Sequence, residues 1–332
     1  MLHIGPIKIK SRLILAPMAG VSDFPFRAIN RSVGCELAFV EMINARSLSY
    51  KSKKTKRMLY STKKDTPLGV QIVGCEPEYI KRALEILQGY DFDILDFNAA
   101  CPSKKVVRRG EGAALLKHPK KINRLLKILV KSSTVPVTIK IRAGWDAHSI
   151  NAKEVALASE DAGISALFIH GRTRAQGYSG VVDHSVIKQV KKAVKIPVIA
   201  SGDIFSPVLA KKMFDETGCD GLLVARGALG NPWIFKEVTS FLKNAKVIKR
   251  PPVDTIVKVM IEHLRLCLDF YGERGGVRLF RKYLIWYTKG FHKVRPLREK
   301  ISHLKTKKSM IDVIKACRDS QRLVATLKKS KS

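Results

Sequence analysis

Acidic residues are scarce in this sequence. Its 332 residues include 28 Asp and Glu against 62 Lys and Arg, which gives a formal net charge of +34. An excess of this size indicates a polyanionic partner, such as a nucleic acid, or an organism whose proteins are unusually rich in lysine. Charge alone favours a nucleic acid but does not specify RNA.

Two other absences narrow the class of protein. The six cysteines, at positions 35, 75, 101, 219, 267 and 317, form no CxxC pair and no zinc-ligand cluster. We therefore expect free thiols in a reducing cytoplasm and no bound metal. The sequence has no run of about 18 apolar residues, which a membrane span needs, and residues 1–6 do not resemble a signal peptide. We expect no contact with a membrane.

Short apolar, β-branched segments recur eight times along the first three quarters of the chain. They cover residues 13–18, 37–42, 68–73, 94–98, 135–141, 166–170, 197–201 and 221–225. Helix-compatible segments lie between them, among them residues 78–88, 121–131, 152–162, 185–193 and 207–217. Strands that are apolar throughout, rather than alternately, are buried on both faces of a sheet. Eight such units predict an α/β fold, a (β/α)8 TIM barrel over residues 1–245.

A doubly wound sheet is the alternative fold. Its dinucleotide-binding form carries a GxGxxG turn after the first strand, whereas residues 16–20 of this chain are Ala-Pro-Met-Ala-Gly. We therefore favour the barrel.

The C-terminal quarter differs in pattern from the barrel. Residues 249–252, Lys-Arg-Pro-Pro, cannot continue a helix and resemble a linker. Helical periodicity over residues 257–270, 278–291 and 309–328 predicts a small helical bundle at residues 252–332. Residues 281–308 contain ten Lys or Arg and one acid, and four aromatic residues are interleaved: Tyr283, Trp286, Tyr287 and Phe291. These aromatic side chains either stack on bases or form the core of the bundle.

Polar residues gather at the predicted strand ends, where TIM barrels place their active sites. They include Gln71, Asn98, Lys140, Arg142, His170, Arg172, Ser201, Asp203 and Arg226. Lys140 lies inside an apolar run, where an unpaired charge would be costly, so it needs an anion or a polar partner. Gly202 and Gly227 follow the last two strands, whose loops form the usual phosphate site of this fold. A phosphorylated cofactor such as FMN is therefore expected.

A cysteine stands at the exit of the fourth strand, in Asp96-Phe97-Asn98-Ala99-Ala100-Cys101-Pro102. A basic, glycine-bearing loop over residues 103–112 follows it. A thiol beside a cationic loop indicates proton chemistry on a polyanion, whereas a buried structural cysteine is the alternative.

Together and in this order, these segments resemble the tRNA-dihydrouridine synthase family, and its bacterial B-type branch most. The similarity covers residues 16–27, 69–74, 96–112, 138–145, 170–174, 201–204, 227–235 and 281–298. The resemblance implies an enzyme that reduces the C5=C6 bond of chosen uridines in tRNA. NADPH, or NADH, would reduce bound FMN, which passes hydride to C6, and Cys101 would protonate C5. The family analogy also implies a monomer without an obligatory protein partner.

The resemblance further implies roles for individual residues. For the cofactor, the implied residues are Pro17, Met18 and Ala19 along the isoalloxazine, Gln71 at its pyrimidine edge, Lys140 at N1/O2, and His170, Ser201, Gly202, Asp203, Ala225 and Arg226 around the phosphate. For the tRNA, they are Asn98, Lys104, Lys105, Arg108, Arg142, Arg172, Arg281, Lys289, Lys293 and Arg295. Two positions depart from the family: Ala99-Ala100 replaces Met-Gly, and Ala225 replaces a glycine.

Two other functions are compatible with parts of this pattern. A flavin barrel that acts on a small molecule would not need the basic loop and the basic C-terminal segment. A non-catalytic RNA-binding protein would not need Cys101, Lys140 and the phosphate loops. The modified tRNA position and the choice between NADPH and NADH are not visible in the sequence.

Overall fold

The computed structural model describes residues 1–50 and 52–329. The strands are β1 (Leu2–Ile4), β2 (Ile7–Ile9), β3 (Leu13–Leu15), β4 (Leu37–Phe39), β5 (Ile43–Asn44), β6 (Leu68–Val73), β7 (Ile94–Asn98), β8 (Val137–Arg142), β9 (Ala166–His170), β10 (Val198–Ser201) and β11 (Gly221–Val224). The α-helices are α1 (Phe24–Ser32), α2 (Ala45–Ser49), α3 (Lys53–Met58), α4 (Pro77–Leu87), α5 (Lys104–Val107), α6 (Pro119–Ser132), α7 (Ala152–Asp161), α8 (His184–Ala193), α9 (Pro207–Thr217), α10 (Ile234–Asn244), α11 (Val253–Tyr287), α12 (Arg295–Glu299) and α13 (Lys307–Lys329). Short 3₁₀ helices cover Gly112–Lys117, Arg226–Ala228 and Lys300–His303.

Parallel strands close into a barrel in the order β4-β3-β11-β10-β9-β8-β7-β6, and β4 pairs with β6 to complete the circle. Each of the eight apolar segments overlaps one of these strands, and only β8 extends beyond its segment, by one residue, so the predicted TIM barrel is confirmed. The two-residue strand β5 adds to the edge of β6 just after β4. The predicted loop over residues 103–112 includes the single-turn helix α5.

The barrel interior is filled by large apolar side chains. Phe39 and Phe168 meet edge to face inside it, with ring centroids 5.6 Å apart. Gly69 makes room for them, because a Cβ there would lie 2.1 Å from the Phe39 ring. The hairpin of β1 and β2, which the sequence analysis did not predict, adds Leu2, Ile4 and Ile9 to this cluster. Its Gly5 lies against Pro136, at the start of β8, so the hairpin covers the N-terminal end of the barrel.

The outer helices pack their apolar faces on the strands. In α6, Ile122, Leu125, Leu126 and Leu129 recur at helical spacing and are buried. Side-chain caps set where several helices begin: the Asp23 carboxylate accepts the Phe26 N–H at 3.0 Å at the start of α1. These helices therefore begin close to the strand ends that carry the candidate site.

The C-terminal segment is helical, as predicted. Helix α11 is interrupted at Gly272, whose φ of 71° and ψ of 168° are not helical, so its two halves correspond to the first two predicted helices. The second half ends at Tyr287 rather than at residue 291. Helix α13 packs on α11, which also packs on α1 of the barrel.

Two of the interleaved aromatic residues belong to the core. Tyr283 and Tyr287 are 1% and 2% exposed, and Tyr283 stacks on Phe26 of α1. Base stacking by these two rings, one of the two interpretations offered by the sequence, is therefore wrong. Trp286 is half-buried and packs edge-on against Tyr283.

The division into residues 1–245 and 252–332 stays a prediction, and residues 330–332 of the predicted bundle lie outside the described residues. In the part of the chain that the structure covers, no helix has the length and apolar character needed to cross a bilayer.

Candidate active site

A cavity of about 540 Å³ opens at the C-terminal ends of the barrel strands. Its lining includes Cys101, Asn98 and Arg142 and every residue expected to contact the cofactor, namely Pro17, Met18, Ala19, Gln71, Lys140, His170, Ser201, Gly202, Asp203, Ala225 and Arg226. With Met42, which also lines it, the cavity brings together residues from all eight apolar segments of the barrel. Their individual roles stay predictions.

One wall of the cavity is the apolar loop after β3. Its backbone is held by a hydrogen bond from the Ala16 N–H to the Val224 carbonyl (2.9 Å) and by one from the Met18 N–H to Ser22 Oγ (2.9 Å). Pro17, Met18 and Ala19 therefore present a preformed surface to the cavity. Such an apolar wall suits one face of a planar ring system.

The C-terminal helices hold this same loop from outside. The Tyr271 hydroxyl donates to Asp23 Oδ2 (3.0 Å), the Tyr283 hydroxyl donates to the Val21 carbonyl (3.0 Å), and Lys282 Nζ donates to the Gly20 carbonyl. Burial raises the pKa of Asp23 to about 6. Three side chains of α11 thus support the segment that carries Pro17 and Met18.

A chain of buried hydrogen bonds runs behind the polar edge of the cavity. Thr138 Oγ1 and Gln71 Nε2 both donate to the Asp96 carboxylate, each at 2.6 Å. Asn98 Nδ2 donates to Gln71 Oε1 at 2.8 Å. Burial raises the pKa of Asp96 to about 6. These hydrogen bonds fix the orientation of the Gln71 side-chain amide, because both of its polar atoms have partners.

The same series of hydrogen bonds extends to the backbone of the cysteine. Asn98 Oδ1 accepts the backbone N–H groups of Ala100 (3.0 Å) and Cys101 (2.8 Å). Asn98, expected to contact the tRNA, therefore also shapes the strand exit. The φ of Ala100 is not positive, so the backbone accommodates an alanine where the family has glycine.

Cys101 is half-buried and lines the cavity. Burial raises the pKa of its thiol above the usual value, so the thiol is protonated at neutral pH. Gly112, with φ of 59°, lies so close that a Cβ there would be 2.9 Å from the Cys101 carbonyl oxygen. The glycine-bearing loop thus packs directly on the cysteine.

Lys140 has a polar hydrogen-bond partner, as predicted from its position in an apolar segment. Its Nζ donates to Ser201 Oγ at 3.0 Å. Burial, and secondarily the charge of Arg142, lower its pKa to about 7, while Asp96 acts in the opposite direction. Because the ammonium is poorly compensated, an anion bound beside it would raise the pKa again.

The far end of the cavity has the features of an anion site. Gly202 adopts a φ of 130°, and a Cβ there would lie 2.7 Å from Val182. Within the described residues, the backbone N–H groups of Gly202 and Asp203 have no hydrogen-bond partner in the protein. Asp203 Oδ2 and Oδ1 accept from Arg172 and Arg226, both at 2.6 Å, and Arg172 is the main reason why the pKa of Asp203 is lowered. These open N–H groups and the guanidinium of Arg226 suit a phosphate.

His170 is neutral in this setting. Burial, followed by the charges of Lys140 and Arg142, lowers its pKa to about 2. The imidazole can therefore donate or accept a hydrogen bond at the cavity wall but adds no charge.

Two arginines that were expected to contact tRNA hold loops in place. Arg142 donates to the carbonyls of Ala100 (2.8 Å), Thr173 (2.9 Å) and Gly177 (2.8 Å), which joins the cysteine loop to the loop after β9. Arg172 is buried, and besides its ion pair with Asp203 it donates to backbone carbonyls of the loop after β9. Their contact with RNA stays a prediction.

The other basic residues lie outside the cavity. Lys104, Lys105 and Arg108 are exposed on and beside α5, next to the mouth of the cavity. Lys289 and Lys293 are exposed in the segment after α11, and the exposed Arg295 begins α12, where it pairs with Glu299 at 3.3 Å. Arg281 is half-buried, and its Nε donates to the Leu304 carbonyl at 3.2 Å. The six exposed side chains are available to a polyanion.

Several residues of the site escaped the sequence analysis, and Asp96 and Tyr178 matter most to its polar contacts. Asp96 was quoted only as part of the cysteine motif, although it anchors Gln71. Tyr178, 60% exposed, also lines the cavity, and the guanidinium carbon of Arg226 lies 4.9 Å from its ring centre. No spacing or composition signal marks Tyr178, since its loop has no regular structure.

Comparison with known proteins places the chain in a family. The model of the dihydrouridine synthase family (Dus) matches residues 14–325. The chain is 42% identical over 289 residues to tRNA-dihydrouridine synthase B of Pectobacterium carotovorum, an alignment that covers 86% of this chain and 89% of that protein. It is 40% identical over 302 residues to tRNA-dihydrouridine synthase B of Pseudomonas aeruginosa, covering 91% of each.

A solved structure confirms the fold independently. The chain superposes on a histamine dehydrogenase from Rhizobium sp. 4-9 with a TM-score of 0.57 and 13% identity, over 80% of this chain and 50% of that one. At this identity the likeness concerns the fold alone. The family match extends over nearly the whole chain, and this chain belongs to the dihydrouridine synthase family.

Proposed function

We propose that this protein is an FMN-dependent enzyme that uses NADPH to reduce uridine in tRNA to 5,6-dihydrouridine, with Cys101 as the proton donor to C5. Family membership supports the reaction and the use of a flavin. The observation that carries the finer proposal is the cavity itself, where a protonated thiol, a half-buried lysine and an anion site converge.

The residues present fit FMN. The cavity volume is within the usual range for a cofactor site. Pro17, Met18 and Ala19 would face the isoalloxazine, Gln71 and Lys140 would meet its pyrimidine edge, and the open N–H groups of Gly202 and Asp203 would receive the phosphate. When bound, the flavin supplies the hydride that C6 of the uracil receives.

Lys140 tunes the cofactor end of the reaction. Because its pKa is about 7, a neighbouring charge changes the proportion of Lys140 that is protonated at neutral pH. Negative charge at the pyrimidine edge stabilises the ammonium, and the ammonium stabilises that negative charge in return. Ser201 Oγ, 3.0 Å from Nζ, holds the amine in place.

Cys101 completes the reduction on the uracil side. As the C5=C6 bond accepts hydride at C6, the proton at the Sγ atom moves to C5, and solvent reprotonates the thiolate. A thiol whose pKa is raised by burial carries its proton at neutral pH and needs no base to prepare it. Asn98 and Gly112 position the loop that carries Cys101 through its backbone.

The decisive test is dihydrouridine formation measured by mass spectrometry, with purified protein, NADPH and unmodified tRNA. The variant Cys101→Ala should lose product by roughly a hundredfold or more, the usual value of a positioned acid, while it keeps its FMN. Cys75→Ala is the matched control, because Cys75 is also a half-buried thiol near the cysteine loop, where its Sγ donates to the Arg109 carbonyl at 3.2 Å.

Three results would contradict the proposal in different ways. Wild-type turnover by Cys101→Ala would remove the cysteine from its role. A yellow protein that makes no dihydrouridine would point to a flavin enzyme with a small substrate. A colourless protein without activity would point to an RNA-binding protein that uses the barrel as a scaffold.

A further inference from the structure

Two cations lie against the ring of one half-buried tryptophan in the loop after β8. Lys117 Nζ lies 3.7 Å from the ring centre of Trp145, and the guanidinium carbon of Arg174 lies 4.5 Å from the same centre. Lys117 ends the 3₁₀ helix that begins at Gly112, and Arg174 follows β9. We call Lys117, Trp145 and Arg174 the Trp145 ridge.

Neither cation of the ridge has an acidic partner among the residues that the structure describes. Within residues 1–50 and 52–329, no carboxylate lies within ion-pair distance of Lys117 or Arg174. Arg174 Nε is buried without a hydrogen-bond partner among the described residues. Both cations are attracted to the π electrons of the indole ring. Together they form a positively charged patch that is already in place before any ligand binds. Because the ring already carries two cations, the ridge offers charge rather than a surface for base stacking.

The position of the ridge follows from the strand order. Around the barrel, β8 lies opposite β3, with three strands between them on either side. Helix α11 contacts the loop after β3 through Tyr271, Lys282 and Tyr283. The helical segment and the ridge therefore stand on opposite sides of the cavity mouth.

The ridge also adjoins the cysteine loop. The 3₁₀ helix that ends at Lys117 packs on α5, which carries the exposed Lys104 and Lys105. Arg142 ties the cysteine loop to the loop after β9, the one that contains Arg174. Positive charge thus continues from α5 over Lys117 to Arg174 along one rim of the cavity.

We infer that the Trp145 ridge binds the phosphate backbone of the RNA substrate, on the side of the cavity opposite the helical segment. The inference rests on the proposed function. A uracil that enters the cavity leaves its strand running away from the mouth in two directions, so phosphates must lie on more than one side of it. The helical segment meets one of those sides, and the ridge is the unneutralised cation pair on the other.

Salt-dependent tRNA binding by the FMN-loaded, full-length protein tests the inference. Lys117→Glu should raise the dissociation constant about tenfold, the value of one charged hydrogen bond. Lys117→Ala should lower the slope of log affinity against log salt by about one, as expected for one lost phosphate contact. Lys117→Arg should restore wild-type affinity. The matched control is Lys8→Glu, since Lys8 is exposed on the hairpin at the other end of the barrel.

Flavin reduction by NADPH in the absence of RNA provides the second readout. We expect it to be unchanged in every ridge variant, because the ridge lies outside the cofactor cavity. If Lys117→Glu binds tRNA with the affinity and salt slope of Lys8→Glu, the ridge does not bind RNA, whatever the enzyme's activity. If the wild type binds tRNA but makes no dihydrouridine, the proposed function fails and the binding comparison still decides the ridge. A wild type that binds no tRNA overturns both.

Discussion

Among individual residues, Asp96 has a structural role that its position in the sequence does not reveal. It is 1% exposed and accepts two hydrogen bonds at 2.6 Å, from Gln71 and Thr138. A carboxylate has only acceptors, so it forces Nε2 of Gln71 to point toward it and Oε1 toward Asn98. Asp96 therefore determines which face of the Gln71 amide is available to a cofactor.

Asp96→Asn tests this positioning role. An asparagine brings its own N–H donors to a place that needs acceptors, so Gln71 or Thr138 is left with an unsatisfied buried group. We expect the FMN dissociation constant to rise about tenfold, which corresponds to the cost of one such group. Fluorescence titration of the apoprotein with FMN measures it, and Asp91→Asn, an exposed aspartate seven residues before Asn98, is the control. Equal affinities in the two variants would contradict the positioning role.

The sequence predicts site residues whose chemistry conflicts with their surroundings. Lys140 was recognisable because a charge in an apolar strand needs a partner, and Ser201 is one. Asp96 gave no such signal of its role, since its partners come from neighbouring strands and depend on the register of β6, β7 and β8. Arg142 shows the opposite difficulty: its charge suggested a substrate contact, but its described hydrogen bonds go to backbone carbonyls.

Among the elements, helix α11 is unusual because it is interrupted without a proline. Gly272 has φ of 71° and ψ of 168°, a region that is open almost only to glycine. No atom lies within 4 Å of a Cβ built there, so the constraint comes from the backbone alone. The break separates the half that bears His263 from the half that bears Tyr283, and it lets both reach α1.

Gly272→Ala should therefore destabilise the protein through backbone strain. We expect a loss of about 1 to 3 kcal/mol in the free energy of unfolding, measured by chemical denaturation. Gly89→Ala is the control, because Gly89 does not have a positive φ and its Cβ would make an ordinary 3.6 Å contact. A loss at residue 272 no larger than that at residue 89 would contradict this account.

Elements were predictable where hydrophobic periodicity is long. The eight barrel strands follow from apolar runs that only a sheet covered on both faces can bury. The β1–β2 hairpin was not predicted, because its three-residue strands are too short to show alternation and its Gly5 turn only makes sense once Pro136 is beside it. The start of α11 and the end of its second half also differed from prediction, since apolar periodicity does not mark the residue at which a helix begins or ends, and Pro252 at the start of α11 makes no side-chain capping hydrogen bond.

For the whole molecule, the barrel and the C-terminal helices share a buried aromatic cluster. His263 is fully buried between Phe26, Tyr283 and Tyr287, and its Nδ1 lies 3.1 Å from the Tyr287 hydroxyl. Burial lowers the pKa of His263 to about 3. On the barrel side, Gly230 packs so tightly that a Cβ would lie 2.2 Å from the Trp286 carbonyl oxygen.

The neutral His263 predicts a specific acid sensitivity. The unfolded imidazole takes up a proton near pH 6.5 and the folded one only near pH 3, so the free energy of unfolding falls as the pH falls between these values. The variant His263→Gln has no imidazole at this position to take up a proton on unfolding. The slope of its free energy of unfolding against pH should therefore be smaller than that of the wild type by about 1.4 kcal/mol per pH unit between pH 4 and 6. Urea denaturation of the wild type, His263→Gln and the exposed-histidine control His303→Gln across this range measures it. Parallel stability curves for the wild type and His263→Gln would contradict the prediction.

Tyr271, Lys282 and Tyr283 hold the loop whose other face lines the cavity with Pro17 and Met18. This arrangement constrains how the chain can be recombined. A chimera that takes its helical segment from a relative also takes that relative's side chains at these three positions, and they then have to support the loop of this chain. Domain exchange in this architecture therefore requires that the loop over residues 16–23 be transplanted together with the helices.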